Sequence, residues 1–333
     1  MKAFRLEFRG QTQAAVVAQE IETPRPGPGQ VLVRIHARSL NYRDVLILEG
    51  RYPVPARDGV VPVSDGAGVV AAVGPGVEGL KAGDRVTTVY FPRWASGAFV
   101  RPFAMEQFGC TRDGVLTEFV LAEADGVMPF PDHLSFEEAA TLPCAGVTAW
   151  AALHGPRPVL PGETVMTQGG GGVSLFALRF ARMSGARTIV VTASMERAAQ
   201  FAEAGADEVV GRDDDGRWVQ TVRQLTGGRG VDHIVETGSL QTIAASIACG
   251  HESAVATVVA AVGPGTISTS VLNQPMLMRR TYVGSRAHFA EMNRAIAAQG
   301  MRPVIGARHD FADAAGALRQ FADRQHFGKV VIA

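Results

Sequence analysis

Residues 167–180 read TQGGGGVSLFALRF. The apolar run ETVMTQ leads into four consecutive glycines. Helical spacing follows, with Val173, Phe176, Phe180 and Met183 on one side and Gly185 as a stop. A strand-to-helix turn that holds a dinucleotide needs three things: a glycine for the tight bend, a glycine that lets backbone approach the pyrophosphate, and a small residue where helix meets strand. Gly169, Gly171 and Gly172 meet the first two needs, and Ser174 takes the third position of G-x-G-x-x-G. Gly170 is one glycine more than the motif requires. The helix opening near Val173 would turn its positive end toward the phosphates. A glycine-rich turn alone is only a turn. The strand before it, the helix after it and the second strand RTIVVTA beyond make it a nucleotide cradle.

The choice between NAD and NADP falls at the end of that second strand, about 20 residues on, where an acid bonds the ribose 2′-hydroxyl in NAD sites. Here Thr192, Ala193 and Ser194 stand where the acid would fall, with Arg197 close behind and Arg212 after the next strand. A carboxylate would repel a 2′-phosphate, whereas hydroxyls and a cation accept one. The residues therefore call for NADPH, with Ser194 and Arg197 as its readers.

The pattern around the cradle repeats. From LSFEEAATLPCAGVTAWAAL (134–153) onward, strand and helix alternate: MERAAQFAEA, GRWVQTVRQLTG and QTIAASIACG are helical, and DEVV, VDHIVETG, AVATVVAAVG and TYVGS extended. That alternation predicts a doubly wound parallel α/β sheet. The first 125 residues have another texture. In VLVRIHARS (31–39), Val31, Val33, Ile35 and Ala37 alternate with Arg34, His36 and Arg38, which predicts a half-buried strand. VVPVSDGAGVVAAVG (60–74) and DRVTTV (84–89) are further strands, divided by PRPGPGQ and GPGVEGLKAGD, so this part reads as a small barrel or sandwich. FPRWASGAFVRPFAMEQFGC (91–110) reads as a long excursion with exposed aromatics, and Phe91 and Trp94 are candidates to shape a substrate pocket. The chain closes on a helix at FAEMNRAIAAQ, a short strand at RPVIG, a helix at FADAAGALRQFAD and a last strand at GKVVIA.

Composition sets limits. The 333 residues suggest about two domains, and 47% hydrophobic with 19% charged is ordinary for a globular chain. A formal net charge of +0 gives nucleic-acid binding no electrostatic footing. Cys110, Cys144 and Cys249 are odd in number and widely spaced, which suits a reducing compartment. The N-terminus MKAFRLEFRG lacks an apolar leader core, and no run of apolar residues reaches membrane-spanning length. A cytoplasmic protein without a membrane span is expected.

The chain resembles the medium-chain dehydrogenase/reductase superfamily along essentially its whole length, and in particular its zinc-free branch of quinone oxidoreductases and enoyl reductases. The residues that carry the likeness are SLNYRDVLILEGRYP (39–53), SDGAGVVAAVGPGV (64–77), AGDRV (82–86), AATLPCAGVTAW (139–150), TQGGGGVSLFAL (167–178), TGGRGVDHIVETG (226–238), YVGSRAHFAEMNRAI (282–296) and HFGKVVI (326–332). The resemblance implies a GroES-like β-barrel catalytic domain from both chain ends, residues 1–124 and 289–333, with a Rossmann NADP-binding domain at 125–288. It places Asn41 beside the nicotinamide as a donor to the substrate oxygen, and Tyr52 facing the substrate as a proton donor. Thr148 would touch the nicotinamide ribose or ring, Val262 and Gly263 its carboxamide. Gly284, Ser285 and Arg286 would line the same pocket, and Lys329 would lie close to the cofactor cleft. Tyr42, Arg43 and Asp44 would lock the two domains together. In zinc-bearing relatives the metal is held by Cys, His and a third residue, often Cys. Those positions fall on Asn41, Ser64 and Cys144 here, so no metal is expected. The resemblance thus implies a homodimer that transfers hydride from NADPH to a quinone or a carbonyl-conjugated alkene without zinc. An NADP-dependent carbonyl reductase or alcohol dehydrogenase, and a non-catalytic NADPH-binding protein, are the alternatives.

Overall fold

The structure, a computed structural model, describes residues 1–8, 14–259 and 266–333. The chain forms two compact units, one of Met1–Val147 with Ser285–Ala333, the other of Thr148–Gly284.

The first unit opens on a two-stranded antiparallel sheet of β1 (Lys2–Phe8) and β2 (Ala14–Glu20). β3 (Gln30–Ser39) follows, then helix α1 (Tyr42–Leu48), β4 (Asp65–Val73), β5 (Arg85–Thr88), β6 (Phe119–Glu123), β7 (Val127–Pro129) and helix α2 (Phe136–Ala140). In β3 the alternation holds: Val31, Val33, Ile35 and Ala37 are core and Arg34 is exposed. Arg38 departs from it, buried with its guanidinium bonded to the Val115 and Thr117 carbonyls and set over the Phe311 ring. The strand expected over 60–74 begins only at Asp65, because Val63 takes φ 71°, outside the extended region. The 91–110 segment corrects an expectation. Phe91 and Trp94 are buried rather than exposed, and Phe91, Phe99, Phe103 and His288 all pack against the Trp94 ring. Arg101–Met105 adds a 3₁₀ turn. This loop supplies its own apolar cluster.

A π-helical turn at Leu142–Gly146 leads into α3 (Val147–Leu153) and the second unit. There β8 (Thr164–Gln168), α4 (Gly172–Met183), β9 (Arg187–Thr192), α5 (Ala198–Ala204), β10 (Glu208–Gly211), α6 (Trp218–Leu225), β11 (Val231–Glu236), α7 (Ile243–Ala248), β12 (Gly250–Val258) and β13 (Leu277–Arg280) alternate as the pattern requires. All pairs are parallel, in the order β10-β9-β8-β11-β12-β13. Met166, Ile189, Val191, Ile234 and Ala256 from the sheet and Trp218, Val222 and Ile243 from helices share one core. The last strand lies at Leu277–Arg280 rather than over TYVGS, where Val283 at φ 51° breaks any extended run.

The chain then returns to the first unit through α8 (Arg286–Gln299), β14 (Ile305–His309), α9 (Ala314–Ala322) and β15 (Lys329–Ile332). β15 joins β3, completing the sheet β14-β15-β3-β4-β5-β7, with β6 also on β3. Val33, Ile35, Val70, Val86, Val120, Phe321 and Ile332 form its core. Residues 125–147 group with this unit, not with the Rossmann part as expected, because β7 pairs with β5 and His133, Glu137 and Glu138 bond to Met301, Arg308 and Arg302.

Candidate active site

In the Rossmann unit, strand order reverses between β8 and β11, and such sheets take nucleotides outside the strand ends at that switch. The glycine stretch sits there. Gly169, just past β8, has φ 65°, a left-handed turn that glycine adopts without cost. Gly171 is the N-cap of α4 at φ −75°, ψ 166°; it makes no side-chain cap bond, and a Cβ on it would meet nothing within 4 Å. The first-turn N–H groups of Gly172 and Val173 thus lie beside open space, which suits a pyrophosphate. Ser174 does not face that space. Buried, it bonds the Gln168 carbonyl and the Thr237 hydroxyl (2.8 Å), so it serves where helix meets strand.

At the end of β9, Thr192 is buried and its Oγ1 accepts from the Ser194 N–H at 3.1 Å. The Ser194 hydroxyl donates to Glu196 at 2.5 Å, and Arg197 N-caps α5. Glu196 is thus an acid beside the expected phosphate readers that the motif reading passed over. The exposed Arg212 donates its N–H to the Thr192 carbonyl at 2.7 Å, and its charge helps hold down Glu236. Thr148 is buried in the first turn of α3. Val262 and Gly263 lie outside the described residues. Gly284 ends this unit, and the Ser285 hydroxyl accepts from the His288 N–H as the cap of α8. Arg286 donates its N–H to the Trp94 carbonyl at 2.9 Å. Sequence reading also missed the seal between β8 and β11. Buried Gln168 donates to Glu236 at 2.6 Å and to Ser246, while Gly238 N–H and the Thr242 hydroxyl donate to Glu236 at 2.7 and 3.0 Å. Burial raises the Glu236 pKa, and these donors oppose it.

The GroES-like unit carries a buried polar cluster. Asn41 stands between β3 and α1, and its N–H donates to Asp44 Oδ2 at 2.8 Å. Lys329, first residue of β15, donates from Nζ to Asn41 Oδ1 and to the Leu40 carbonyl, each at 2.6 Å. Asn41 Nδ2 is buried and makes no close hydrogen bond among the described residues, although the Asn41 side chain lies near enough to Asp65 to help hold its carboxyl down. Asp65, fully buried, accepts from the Ser64 hydroxyl at 2.7 Å and the Cys144 N–H at 2.9 Å. Burial lowers the Lys329 pKa, against Asp65, Cys144 and Asp44, and raises that of Asp65, against Lys329 and its donors. Burial likewise raises Asp44 to about 6, with Arg43 pulling it back. Arg43 and Asp44 are bound inside this unit: Arg43 donates to the Phe108 carbonyl at 2.9 Å and to Gln107 at 3.3 Å, between the Tyr52 and Tyr90 rings. Tyr52 is half-buried, and its hydroxyl donates to Gln107 Oε1 at 2.8 Å. Neither Asp65 nor Gln107 was singled out from the sequence. Asp65 in SDGAG carried a weak signal as an acid entering an apolar strand, and Gln107 carried none.

The donor set does not fit zinc. Asn41 Oδ1 is taken by an ammonium, the Ser64 hydroxyl is spent on Asp65, and burial raises the half-buried Cys144 thiol well above its usual range. Among the described residues, no three His, Cys, Asp or Glu side chains gather to hold a metal. No helix there is long and apolar enough to cross a membrane.

A glycine cradle at the switch of a six-stranded parallel sheet, in one chain with a GroES-like β-unit, defines an oxidoreductase that uses a pyridine nucleotide. Residues 27–132 match the alcohol dehydrogenase GroES-like domain, and residues 172–299 the zinc-binding dehydrogenase family. A zinc-type alcohol dehydrogenase-like protein of Schizosaccharomyces pombe is 36% identical over 94% of each chain. Among solved structures, an NAD-dependent alcohol dehydrogenase superposes with a TM-score of 0.88 at 30% identity, over 100% of this chain and 99% of the other. A mycobacterial protein complexed with NADPH gives 0.81 at 28%, over 100% and 99%. A mycobacterial quinone oxidoreductase gives 0.77 at 27%, over 99% of each. The chain belongs to the medium-chain dehydrogenase/reductase superfamily.

Proposed function

We propose that this protein is a zinc-independent, NADPH-dependent reductase of quinones or carbonyl-conjugated alkenes. The observation that carries the reading is the Asn41 carboxamide: Oδ1 is held by Lys329, and Nδ2, buried on the side of Asp65, makes no close hydrogen bond among the described residues. A buried N–H left open is a donor in wait, and oxygen on which charge develops is what such donors stabilise. When bound, the nicotinamide supplies hydride to the electrophilic carbon. Asn41 Nδ2 then donates to the developing oxyanion. Tyr52 is the candidate proton donor, with Gln107, Tyr90 and Arg43 orienting its hydroxyl. Gly169, Gly171, Gly172 and Val173 hold the pyrophosphate, and Thr192, Ser194, Arg197 and Arg212 the 2′-phosphate end. The absent acid at Thr192 and the NADPH-bound relative support NADPH, while the NAD-dependent relative makes the comparison necessary.

The test is NADPH oxidation, with a chelator present, across quinones, enones and aldehydes. Turnover of quinones or enones with chelator present is the expected result; no turnover of either class refutes the reading. The relatives named as alcohol dehydrogenases favour a second reading, carbonyl reduction on zinc, and stoichiometric metal in the purified protein would establish it. We also propose a homodimer through the free edge of β13, which pairs only with β12 among the described strands and exposes Leu277, with Leu272 and Tyr282 nearby. A single species of monomer mass in light scattering refutes it. Cys110, Cys144 and Cys249, none of them in a disulfide among the described residues, suit the reducing cytoplasm, where we place the protein.

A further inference from the structure

Lys329 is buried at the head of β15. Lysine is among the residues least often fully buried, and here burial works against its charge. Its backbone is fixed by the sheet: its own N–H donates to the Val304 carbonyl at 2.9 Å, and the next residue's carbonyl, Val330, accepts from the Leu40 N–H at 3.0 Å. Two of its three N–H bonds go to adjacent acceptors, the Leu40 carbonyl and Asn41 Oδ1. An ammonium has donors only. The Asn41 atom 2.6 Å from it must therefore be the carbonyl oxygen, since an amide nitrogen would set hydrogen against hydrogen. By elimination Nδ2 is turned away from Lys329 and toward Asp65, whose carboxyl the Asn41 side chain helps hold down; Nδ2 makes no close hydrogen bond among the described residues, and the Asn41 backbone N–H is committed separately to Asp44.

We propose that Lys329 is a positioning residue whose ammonium locks the Asn41 carboxamide in the orientation that offers Nδ2 as the hydrogen-bond donor to the substrate's carbonyl oxygen. Without the lock, a half-turn of the amide would present Oδ1 and repel the same oxygen. Asp65, Asp44, Cys144 and Arg43 are the titratable and charged groups that face this region. The two carboxyl groups favour the proton on Lys329 while burial opposes it, and the lock is lost wherever Lys329 gives up that proton. The role assigned to the amide rests on the reductase reading; the lock itself does not.

Two measurements separate the two. In protein labelled with ¹⁵N at asparagine, with N41A identifying the signal, the Asn41 carboxamide is expected to shift as pH rises and Lys329 gives up its proton, and K329M to abolish that shift. In turnover, K329M is expected to lower kcat by about 10- to 100-fold with little change in KM for NADPH, and K329R to restore most of it. On the N41A background the same substitution should cost less than about twofold, because a residue that acts through another has nothing left to position. An equal loss in both backgrounds, or a carboxamide signal indifferent to K329M, overturns the proposal. Should K329M fail to fold by circular dichroism, K329Q takes its place in both measurements. If no acceptor is turned over, the reductase reading fails and the carboxamide signal alone decides the lock.

Discussion

Replacing Gly171 by alanine separates a nucleotide cradle from a simple turn. At φ −75° and ψ 166° an alanine is unstrained, and its Cβ would meet no protein atom within 4 Å. The fold should barely register it: alanine is a poorer N-cap than glycine by about 0.5 kcal/mol, which shifts Tm by roughly 1–2 °C. The same methyl stands in the space where a phosphate would meet the first turn of α4. Each charge-assisted N–H hydrogen bond that the methyl displaces is worth about 1.5–3 kcal/mol, so NADPH Kd should rise by roughly 10- to 150-fold per bond. Gly169→Ala is the control. It forces a left-handed φ of 65° on a residue with a Cβ, at about 1–2 kcal/mol, and should lower Tm by roughly 2–8 °C. Thermal unfolding with and without NADPH, and fluorescence titration for Kd, read both quantities. G171A should lose affinity and keep its Tm, whereas G169A should lose Tm first. A G171A protein that binds NADPH like the unaltered chain would refute the cradle, whatever its activity.

Arg197→Met should weaken NADPH by about tenfold or more and leave NADH unchanged, since only the 2′-phosphate needs the cation; an equal loss for both nucleotides would remove Arg197 from the cofactor's recognition. Tyr52→Phe should lower kcat by about 10²–10⁴-fold if the hydroxyl delivers the proton, while stability falls by only about 1 kcal/mol because Tyr90 and Arg43 still donate to Gln107. A kcat loss under about threefold would end that assignment. Asp44 carries a pH signature. Its folded pKa of about 6 lies above the ordinary 3.8, so between those values the folded chain keeps a proton that the unfolded chain has released. Stability attributable to it therefore falls as pH rises through that window, by up to about 3 kcal/mol. His233, held at about 4 chiefly by burial and then by Arg157, acts in the opposite sense, so the readout is the difference from D44N in denaturant titrations. That difference should open across the window and stay level above it; parallel curves would contradict the burial argument.

What the sequence disclosed follows from which forces act locally. The glycine stretch, the alternation around it and the period of β3 are set by backbone sterics and burial over a few residues, so they were legible. The Asp65 start of β4 was not. It depends on Val63 at φ 71°, a conformation imposed by surroundings and contrary to what a β-branched residue prefers. The 91–110 loop misled for a related reason: Phe99 and Phe103, half-buried, pack on the buried Phe91 and Trp94, and no periodicity marks a cluster held together by its own rings. Asn41 and Lys329 were both named, but their bond spans 288 positions and joins a strand end to the last strand of the chain. Only the closure of the sheet by β15 brings them together.

That closure gives the polar cluster its character. Val63 is held in its left-handed state by close backbone: a Cβ on Gly114 would fall 2.1 Å from the Val63 carbonyl oxygen, and one on Gly109 2.6 Å from its nitrogen. The two glycines let the 109–114 loop press against this turn, and the turn sets Ser64 and Asp65 at the head of β4. Asp65 is the largest influence keeping the proton on Lys329 against burial. A protonated Lys329 admits only an acceptor, and so selects which end of the Asn41 amide it meets. Strain at one valine, two bare glycines, a buried acid and a buried ammonium thus bear in sequence on a single carboxamide. In the proposed reaction the donor is Asn41, but its direction is decided by residues that never need to touch the substrate.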